Sequence, residues 1–390
     1  MNQRHGGAGN GDIVTAGMDQ RYLSMAARLA LRGHGGAEPN PLVGCVIVSG
    51  SDEVVGWGYH RRCGGPHAEI IALGRAGSRA RGATVYLTLE PCTHLGRTGP
   101  CSEALIAAGV ARVVYARSEP DLVATGGAGR LRSAGIQACL NETCEDAISV
   151  SDPFVQRIRT GMPWVVAKWA QSLDGRIATR TGESRWISSR ASRRLVHQER
   201  GRVDVILTGI GTVRRDDPML TARGVHTRRI ARRVVIDPEL DIAADRRLVT
   251  TTDTAPTVVA CGEDRLQADA DGAELLRRAG VELLGVPRTG SELPLERVLR
   301  ELVLRYQATH VLVEAGPGLL GRLFSTQLVN EAWVFVAPVL FGDERALPCV
   351  RGLTVDALTD GCRLDLWNVR SRGGDLVLRY GVSACPAPRP

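Results

Sequence analysis

The order of strand-like and helix-like segments predicts two α/β domains in tandem. Three observations carry this. β-Branched runs alternate with helix-period stretches through both halves, and a turn-rich joint, Thr160-Gly161-Met162-Pro163, interrupts them. The chain has 390 residues, 44% hydrophobic and 23% charged, which suffices for two separate cores. The expected domains are 18–161 and 162–384, with a disordered Gly-rich polar tail over 1–17 and a Pro-containing tail over 385–390.

In the first half, Met18–Arg32 has helical spacing, with Tyr22, Met25, Ala26 and Leu29 on one face. Pro39-Asn40-Pro41 forces a turn, because each proline restricts the residue before it. Two strands follow, Leu42–Val48 and Glu53–Tyr59, joined by the turn-rich Ser49–Asp52. Next come a helix over Ala68–Arg79, a strand over Ala83–Leu89, a helix over Cys101–Ala108 and a strand over Ala111–Ala116. A helix ending at Leu131–Ala134, a short strand Ile136–Leu140 and a helix-like stretch 142–160 complete the domain. In the second half, strands are expected at Trp164–Ala170, Val203–Thr208, Arg233–Ile236, Thr257–Ala260, Val311–Glu314 and Trp333–Ala337. Helical stretches at 190–200, 273–279, 295–306 and 319–328 alternate with them. No internal repeat relates the halves.

Composition removes several classes. No run of roughly 18 or more apolar residues is present, so no membrane span is expected. The first residues lack the apolar stretch of a secretory signal. Ten cysteines without a dense framework read as reduced thiols, which places the chain in the cytoplasm. The net charge of +7 is spread along the sequence with no aromatic-interleaved stripe, so no nucleic-acid partner is expected and a phosphorylated small molecule fits. Of 49 basic residues, 48 are Arg and one, Lys168, is Lys. A lone lysine among arginines marks a place where a compact ammonium is needed and a planar guanidinium fits poorly.

His67-Ala68-Glu69 opens a helix pattern after Pro66, Cys92 follows a strand and Pro91, and Cys101 opens the next helix. One imidazole and two thiolates suit Zn²⁺, with a fourth position left for water. Helix starts favour thiolates, and Glu69 beside His67 can shuttle protons without ligating. This is the His-x-Glu … Pro-Cys … Cys pattern of zinc deaminases, although Cys92 and Cys101 stand farther apart than in the compact Cys-x-x-Cys form. The remaining cysteines read as packing or surface thiols.

Pro39-Asn40-Pro41-Leu42-Val43-Gly44, Gly58-Tyr59-His60, His67-Ala68-Glu69 and the segment Leu89-Glu90-Pro91-Cys92 through Pro100-Cys101 resemble the bifunctional riboflavin-biosynthesis deaminase/reductase family. The resemblance covers residues 18–382, and in that family the long inter-cysteine segment is usual. It implies a cytidine-deaminase-like first domain and a dihydrofolate-reductase-like second domain. Zinc would be held by His67, Cys92 and Cys101, with Glu69 as proton shuttle and Asn40, His60 and Arg97 on the pyrimidine nucleotide. Glu119-Pro120-Asp121-Leu122 departs from the family's Asp-Pro-Asn-Pro, whose first and third positions contact substrate, so Glu119 and Asp121 are candidates of changed chemistry.

For the second domain the resemblance implies NADPH reduction of a ribosylamino to a ribitylamino group. Lys168, in Trp164–Ala170, and Asp174 would hold sugar hydroxyls, with Arg200 and Arg223 on the phosphate. Ser184, Ser188, Asp216 and Glu314 complete the implied substrate set. Ala170, Trp186, Thr208, Gly209, Gly211, Thr212, Asp216, Gly316, Pro317 and Gly318 form the implied cofactor set. No Gly-x-Gly-x-x-Gly with a ribose-binding acid occurs, which disfavours a Rossmann reading. Gly126-Gly127-Ala128-Gly129 reads as a turn only, and Val339 stands where the family commonly has Lys.

The expected enzyme therefore deaminates a pyrimidine ribosyl phosphate with zinc and reduces its ribosyl group with NADPH, as a homo-oligomer (dimer or tetramer). Two alternatives stand beside it: a paralogue acting on a related pyrimidine in an azapteridine or flavin-analogue pathway, and a non-catalytic zinc module assembling the reductase.

Overall fold

The structure, a computed structural model, describes residues 10–94, 99–288 and 290–384. These divide into two compact units between Thr160 and Gly161.

The first unit is built on strands β1 (Gly44–Val48), β2 (Val54–Tyr59), β3 (Thr84–Leu87), β4 (Arg112–Tyr115) and β5 (Gln137–Leu140). They lie in the order β2-β1-β3-β4-β5, antiparallel from β2 to β3 and parallel from β3 to β5. Its helices are α1 (Asn10–Ala30), α2 (Ala68–Ala76), α3 (Cys101–Ala108), α4 (Gly127–Ser133), α5 (Glu145–Ser149) and α6 (Asp152–Thr160). Successive side chains of a strand point to opposite faces. On β1, Cys45 and Ile47 therefore join a core with Ala68, Leu105 and Leu131, while Val46 and Val48 join another with Tyr22, Leu23 and Ala147. The sheet is a filled middle layer between helices. In β2, a Cβ on Gly58 would stand 2.3 Å from the Ala68 carbonyl oxygen, so the missing side chain lets the start of α2 press onto the sheet.

The second unit holds β6 (Trp164–Gln171), β7 (Arg176–Ala178), β8 (Val205–Gly209), β9 (Arg232–Ile236), β10 (Thr257–Gly262), β11 (Val281–Val286), β12 (His310–Val313), β13 (Glu331–Val336), β14 (Leu347–Pro348), β15 (Arg363–Arg372) and β16 (Asp375–Ala384). Nine of them form one sheet in the order β11-β10-β9-β8-β12-β6-β13-β16-β15. It is parallel from β11 to β13, and β16 and β15 add an antiparallel edge. β7 and β14 pair separately. Val165, Ala167 and Trp169 of β6 enter one core and Val166 the other, so both faces of the sheet are covered.

Four expectations differ from the structure. α1 begins at Asn10, so residues 10–17 are helical rather than a tail; the isolated Gly17 costs only about 1 kcal/mol in a helix. Gly127 starts a helix where only a turn was expected. The strands β11, β15 and β16 were not anticipated. Cys362, read as a thiol, is disulfide-bonded. Residues 385–390, expected as a tail, lie outside the described residues.

Candidate active sites

In the first unit, strand ends and helix starts converge on one cavity. His67 is the residue before α2, Cys92 follows β3, and Cys101 is the first residue of α3. The amide and hydroxyl of Ser102 both donate to the Cys92 carbonyl, at 3.2 and 3.1 Å, which locks the two cysteine segments together. α4 closes against the same place: a Cβ on Gly127 would lie 1.8 Å from the Pro91 carbonyl oxygen, so only glycine permits this approach.

His67 Nδ1 lies 3.6 Å from Cys92 Sγ and 3.3 Å from Cys101 Sγ. Tetrahedral zinc with nitrogen and sulfur bonds of ordinary length would hold such atoms about 3.5 Å apart, so this triangle fits the ion. The Cys101 thiol beside Cys92 draws Cys92 down to about 4 against the opposing effect of burial, with His67 assisting. The contact with Cys92, together with burial, pushes Cys101 up. Glu69 is 3% exposed, and burial raises its carboxyl above the usual range.

The adjoining cavity, about 130 Å³, is lined by Asn40, His60, His67, Glu69, Cys92 and Glu119 among others. His60 Nδ1 donates to the Pro66 carbonyl at 3.1 Å, leaving Nε2 to accept from Asn40 Nδ2 at 3.2 Å. Burial lowers the His60 pKa, which favours the neutral ring this arrangement needs. Glu119 faces the cavity, where burial raises its carboxyl to about 7, and one oxygen accepts from the Asp121 amide at 3.1 Å. Asp121 is a correction: it does not line the cavity, because its carboxylate turns back to cap the Val123 amide at 3.0 Å. Arg97 lies outside the described residues.

Sequence reasoning gave no role to Glu90, His94 and Phe154, which also line the cavity. Glu90 is 8% exposed and binds the Ala128 and Glu119 amides at 2.9 and 3.1 Å, joining α4 to the Glu119 loop. His94 was within reach, since it sits two residues beyond Cys92 in the motif.

The second unit carries a larger cavity of about 960 Å³ at the carboxyl ends of β6, β8 and β12. β8 leads to β9 on one side and β12 to β13 on the other, so the chain reverses its winding between β8 and β12. Open parallel sheets bind ligands at such a reversal. Gly209, Gly211 and Thr212 after β8, and Gly316, Pro317 and Gly318 after β12, line the cavity there. Pro317 opens a helix over Pro317–Ser325, whose free N–H groups suit a phosphate.

Lys168 and Glu314 face each other in this cavity at 3.5 Å, with side chains 16% and 11% exposed. Glu314 also takes both forks of Arg200, at 2.6 and 2.9 Å. Burial alone would raise the Glu314 carboxyl, but Arg200 and Lys168 hold it at about 2. Burial lowers the Lys168 ammonium against the pull of Glu314.

Ala170, Ser184, Trp186, Ser188, Asp216 and Arg223 line the cavity. Two of the expected residues do not line it. Asp174 lies away from it, accepting from Ser172 Oγ at 2.6 Å and from the Phe341 and Gly342 amides at 3.1 and 2.9 Å; it pins the β6–β7 turn to the loop after β13. Thr208 is fully buried beneath the site, its hydroxyl donating to the Glu314 carbonyl at 2.8 Å. Arg200 lines the cavity, its fork donating to Glu314. Val339 lies outside the cavity, its carbonyl accepting from the Leu173 amide at 2.7 Å. His197 is a lining residue that sequence reasoning missed; its ring nitrogen meets the Thr221 carbonyl at 3.2 Å.

A deaminase-type metal triad on one α/β unit and a cavity flanked by glycine turns at the sheet's switch point on a second are the marks of a two-domain deaminase and oxidoreductase. The family described as the cytidine and deoxycytidylate deaminase zinc-binding region matches residues 17–117, and the RibD C-terminal domain matches 163–378. The riboflavin biosynthesis protein RibD of Escherichia coli is 40% identical over 92% of this chain and 98% of its own length. That of Aquifex aeolicus is 37% identical over 93% and 98%. Among solved structures, Acinetobacter baumannii RibD shares 35% identity with a TM-score of 0.80, over 94% of this chain and 99% of that one. A Thermotoga maritima diaminohydroxyphosphoribosylaminopyrimidine deaminase/5-amino-6-(5-phosphoribosylamino)uracil reductase shares 28% with a TM-score of 0.80, over the same shares. The chain belongs to the RibD family, the bifunctional deaminase/reductases of riboflavin biosynthesis.

Proposed function

We propose that the first unit removes ammonia from 2,5-diamino-6-ribosylamino-4(3H)-pyrimidinone 5′-phosphate, and that the second reduces the ribosyl group of the product to ribityl with NADPH. The observation that carries this is the His67–Cys92–Cys101 triangle opening, with buried Glu69, on one cavity. Zinc bound there would supply an activated water at neutral pH. Glu69 would take a proton from the attacking water and deliver it to the pyrimidine ring nitrogen, then carry the remaining proton of the added hydroxyl to the amino group, which leaves as ammonia as the carbonyl forms. Its raised carboxyl suits a group that must hold and release protons. Asn40 and neutral His60 present fixed polar edges to the base. Glu119 offers the cavity an oxygen that its bond to Asp121 leaves free.

In the second unit bound NADPH would supply the hydride that reduces C1 of the sugar. The glycine turns after β8 and β12 would hold its phosphates, with Trp186 and Asp216 lining the same cavity. Lys168, fixed by Glu314, presents its ammonium to the sugar hydroxyls, and Arg223 reaches the substrate phosphate. The reaction is cytoplasmic. The relatives favour neither a paralogous pathway nor a non-catalytic zinc module, and a buried acid beside the ligand triangle has no use in the latter.

The test is Glu69→Gln in the zinc-loaded protein. Ammonia release falls at least about 100-fold, as loss of a general acid–base group implies. NADPH oxidation on already deaminated substrate stays as in the parent. Loss of both activities with zinc retained and the fold intact would refute the assignment to two sites.

A further inference from the structure

His197 stands in the reductase cavity with one ring nitrogen fixed and the other free. It lies half-buried in the last turn of the helix Arg190–Arg200 and lines the cavity with Arg200 and Arg223. Its Nδ1 meets the Thr221 carbonyl at 3.2 Å, and a carbonyl oxygen can only accept, so Nδ1 carries the ring's proton. In the neutral ring Nε2 is then a bare lone pair, and it has no protein partner among the described residues. Thr221 gathers the neighbouring cations at the same place. Its carbonyl also accepts from Arg200 at 3.3 Å, and its Oγ1 accepts from Arg223 at 3.3 Å.

The charges around this ring are unbalanced. Acting on it are Arg200 from its own helix, Arg223 from the stretch after the helix Ile210–Asp216, and Glu314 from beyond β12. Arg200 and Lys168 already share Glu314, and Arg223 makes no salt bridge among the described residues. Burial lowers the His197 pKa, and the Arg200 and Arg223 charges lower it further. Arg223 feels the same crowding, from burial first and then from Arg200 and Arg247. A guanidinium without a counter-ion and an imidazole short of a proton, both bonded to Thr221, make a place that an anion completes.

We propose that His197 is a further binding residue for the substrate's 5′-phosphate, neutral in the free protein and taking a proton from solvent onto Nε2 as the phosphate arrives. The inference rests on the reading of the second unit as the reductase of a ribosyl phosphate. A lone pair aimed at a phosphate oxygen repels it, so the contact requires the second proton. A dianion beside the ring offsets the push of Arg200 and Arg223 and adds an attraction of its own. No bond of the substrate changes: one proton leaves solvent, and Nε2–H donates to a phosphate oxygen. A sugar hydroxyl in the same place would donate to the neutral ring and take up no proton. Linkage fixes the sign, since a proton taken up on binding makes binding tighter as pH falls.

Isothermal titration calorimetry of the full chain loaded with NADP⁺, using the deaminated ribosyl phosphate as ligand, tests this. Heats in two buffers of different ionisation enthalpy at about pH 7 count the protons taken up per site. The phosphate is itself mostly dianionic there and adds little to the count. The parent takes up at least about half a proton, and binds about tenfold more tightly at pH 6.5 than at pH 8. His197→Asn keeps a side-chain N–H for the Thr221 carbonyl but has no Nε2. It loses the uptake and the pH dependence, and its loss in turnover falls on KM rather than kcat. His197→Gln can set an amide N–H near the place of Nε2, and it binds without uptake at every pH. Unchanged affinity for NADP⁺ shows that the second unit of each variant is folded. A parent that binds without uptake overturns the proposal with no variant needed. Equal uptake in His197→Asn assigns the proton to another group, Lys168 foremost, and overturns it too. A parent that neither binds this compound nor oxidises NADPH with it overturns the reductase reading itself.

Discussion

Glu314 keeps its negative charge where burial works against it, because two cations share it. Its carboxyl is moved from an ordinary 4.5 to about 2, so the folded state releases this proton more readily than the unfolded chain. The sign follows from linkage. The stabilisation is fully present above about pH 4.5 and is lost as pH falls towards 2, about 3 kcal/mol in all. Glu314→Gln should remove this acid-sensitive part and flatten the slope of unfolding free energy between pH 5 and pH 2, roughly. It should also destabilise at neutral pH, by about 3–5 kcal/mol, since Arg200 and Lys168 then confront each other without a counter-ion. Urea titrations across that range check both. A slope equal to the parent's would mean the carboxyl is not held down. Lys168 itself was conspicuous in the sequence by rarity alone. Glu314 was expected in the same substrate set, but its ion pair with Lys168 was not legible, because the two lie far apart in the chain and only the sheet brings them together.

At the scale of elements, the places where chain segments touch decide the deaminase site. Gly127→Ala would drive a methyl into the Pro91 carbonyl and displace the segment that carries Cys92. The expected result is weaker zinc retention and reduced deamination, with reductase kinetics as in the parent. Metal content after dialysis against a chelator reads this directly, and full retention would show that the contact relaxes at no cost to the ligands. The four-residue run containing Gly127 looked like a turn because glycines are poor helix formers. Gly127 alone among them serves close packing, which a one-dimensional pattern does not display. The proposed zinc ligands stand out in the sequence because each sits at a strand end or helix start, marked by neighbouring proline or by a change of period. The helices 190–200 and 295–306 were legible to the residue, with one face apolar and the other charged. β15 was not. Exposed along nearly its whole length, it has no alternation of buried and exposed positions to announce a strand. Asp174 misled for another reason: a carboxylate in a turn beside the site looks the same in sequence whether it meets a sugar or caps two amides.

At the scale of the whole molecule, each unit completes its own core, and each site is assembled from that unit's elements alone. The two halves of the function are therefore separable by mutation, which is why Glu69→Gln is expected to spare the reductase. The overwhelming preference for arginine has one more consequence, a practical one. Apart from the amino terminus, the only primary amine in the chain is at Lys168, inside the reductase cavity, where burial lowers its pKa against the pull of Glu314. An amine-directed aldehyde or acylating reagent thus becomes an active-site titrant. It should modify one side chain per subunit, abolish reduction while leaving ammonia release untouched, and be blocked by bound substrate. Mass mapping of the adduct gives the count of competent reductase sites in any preparation.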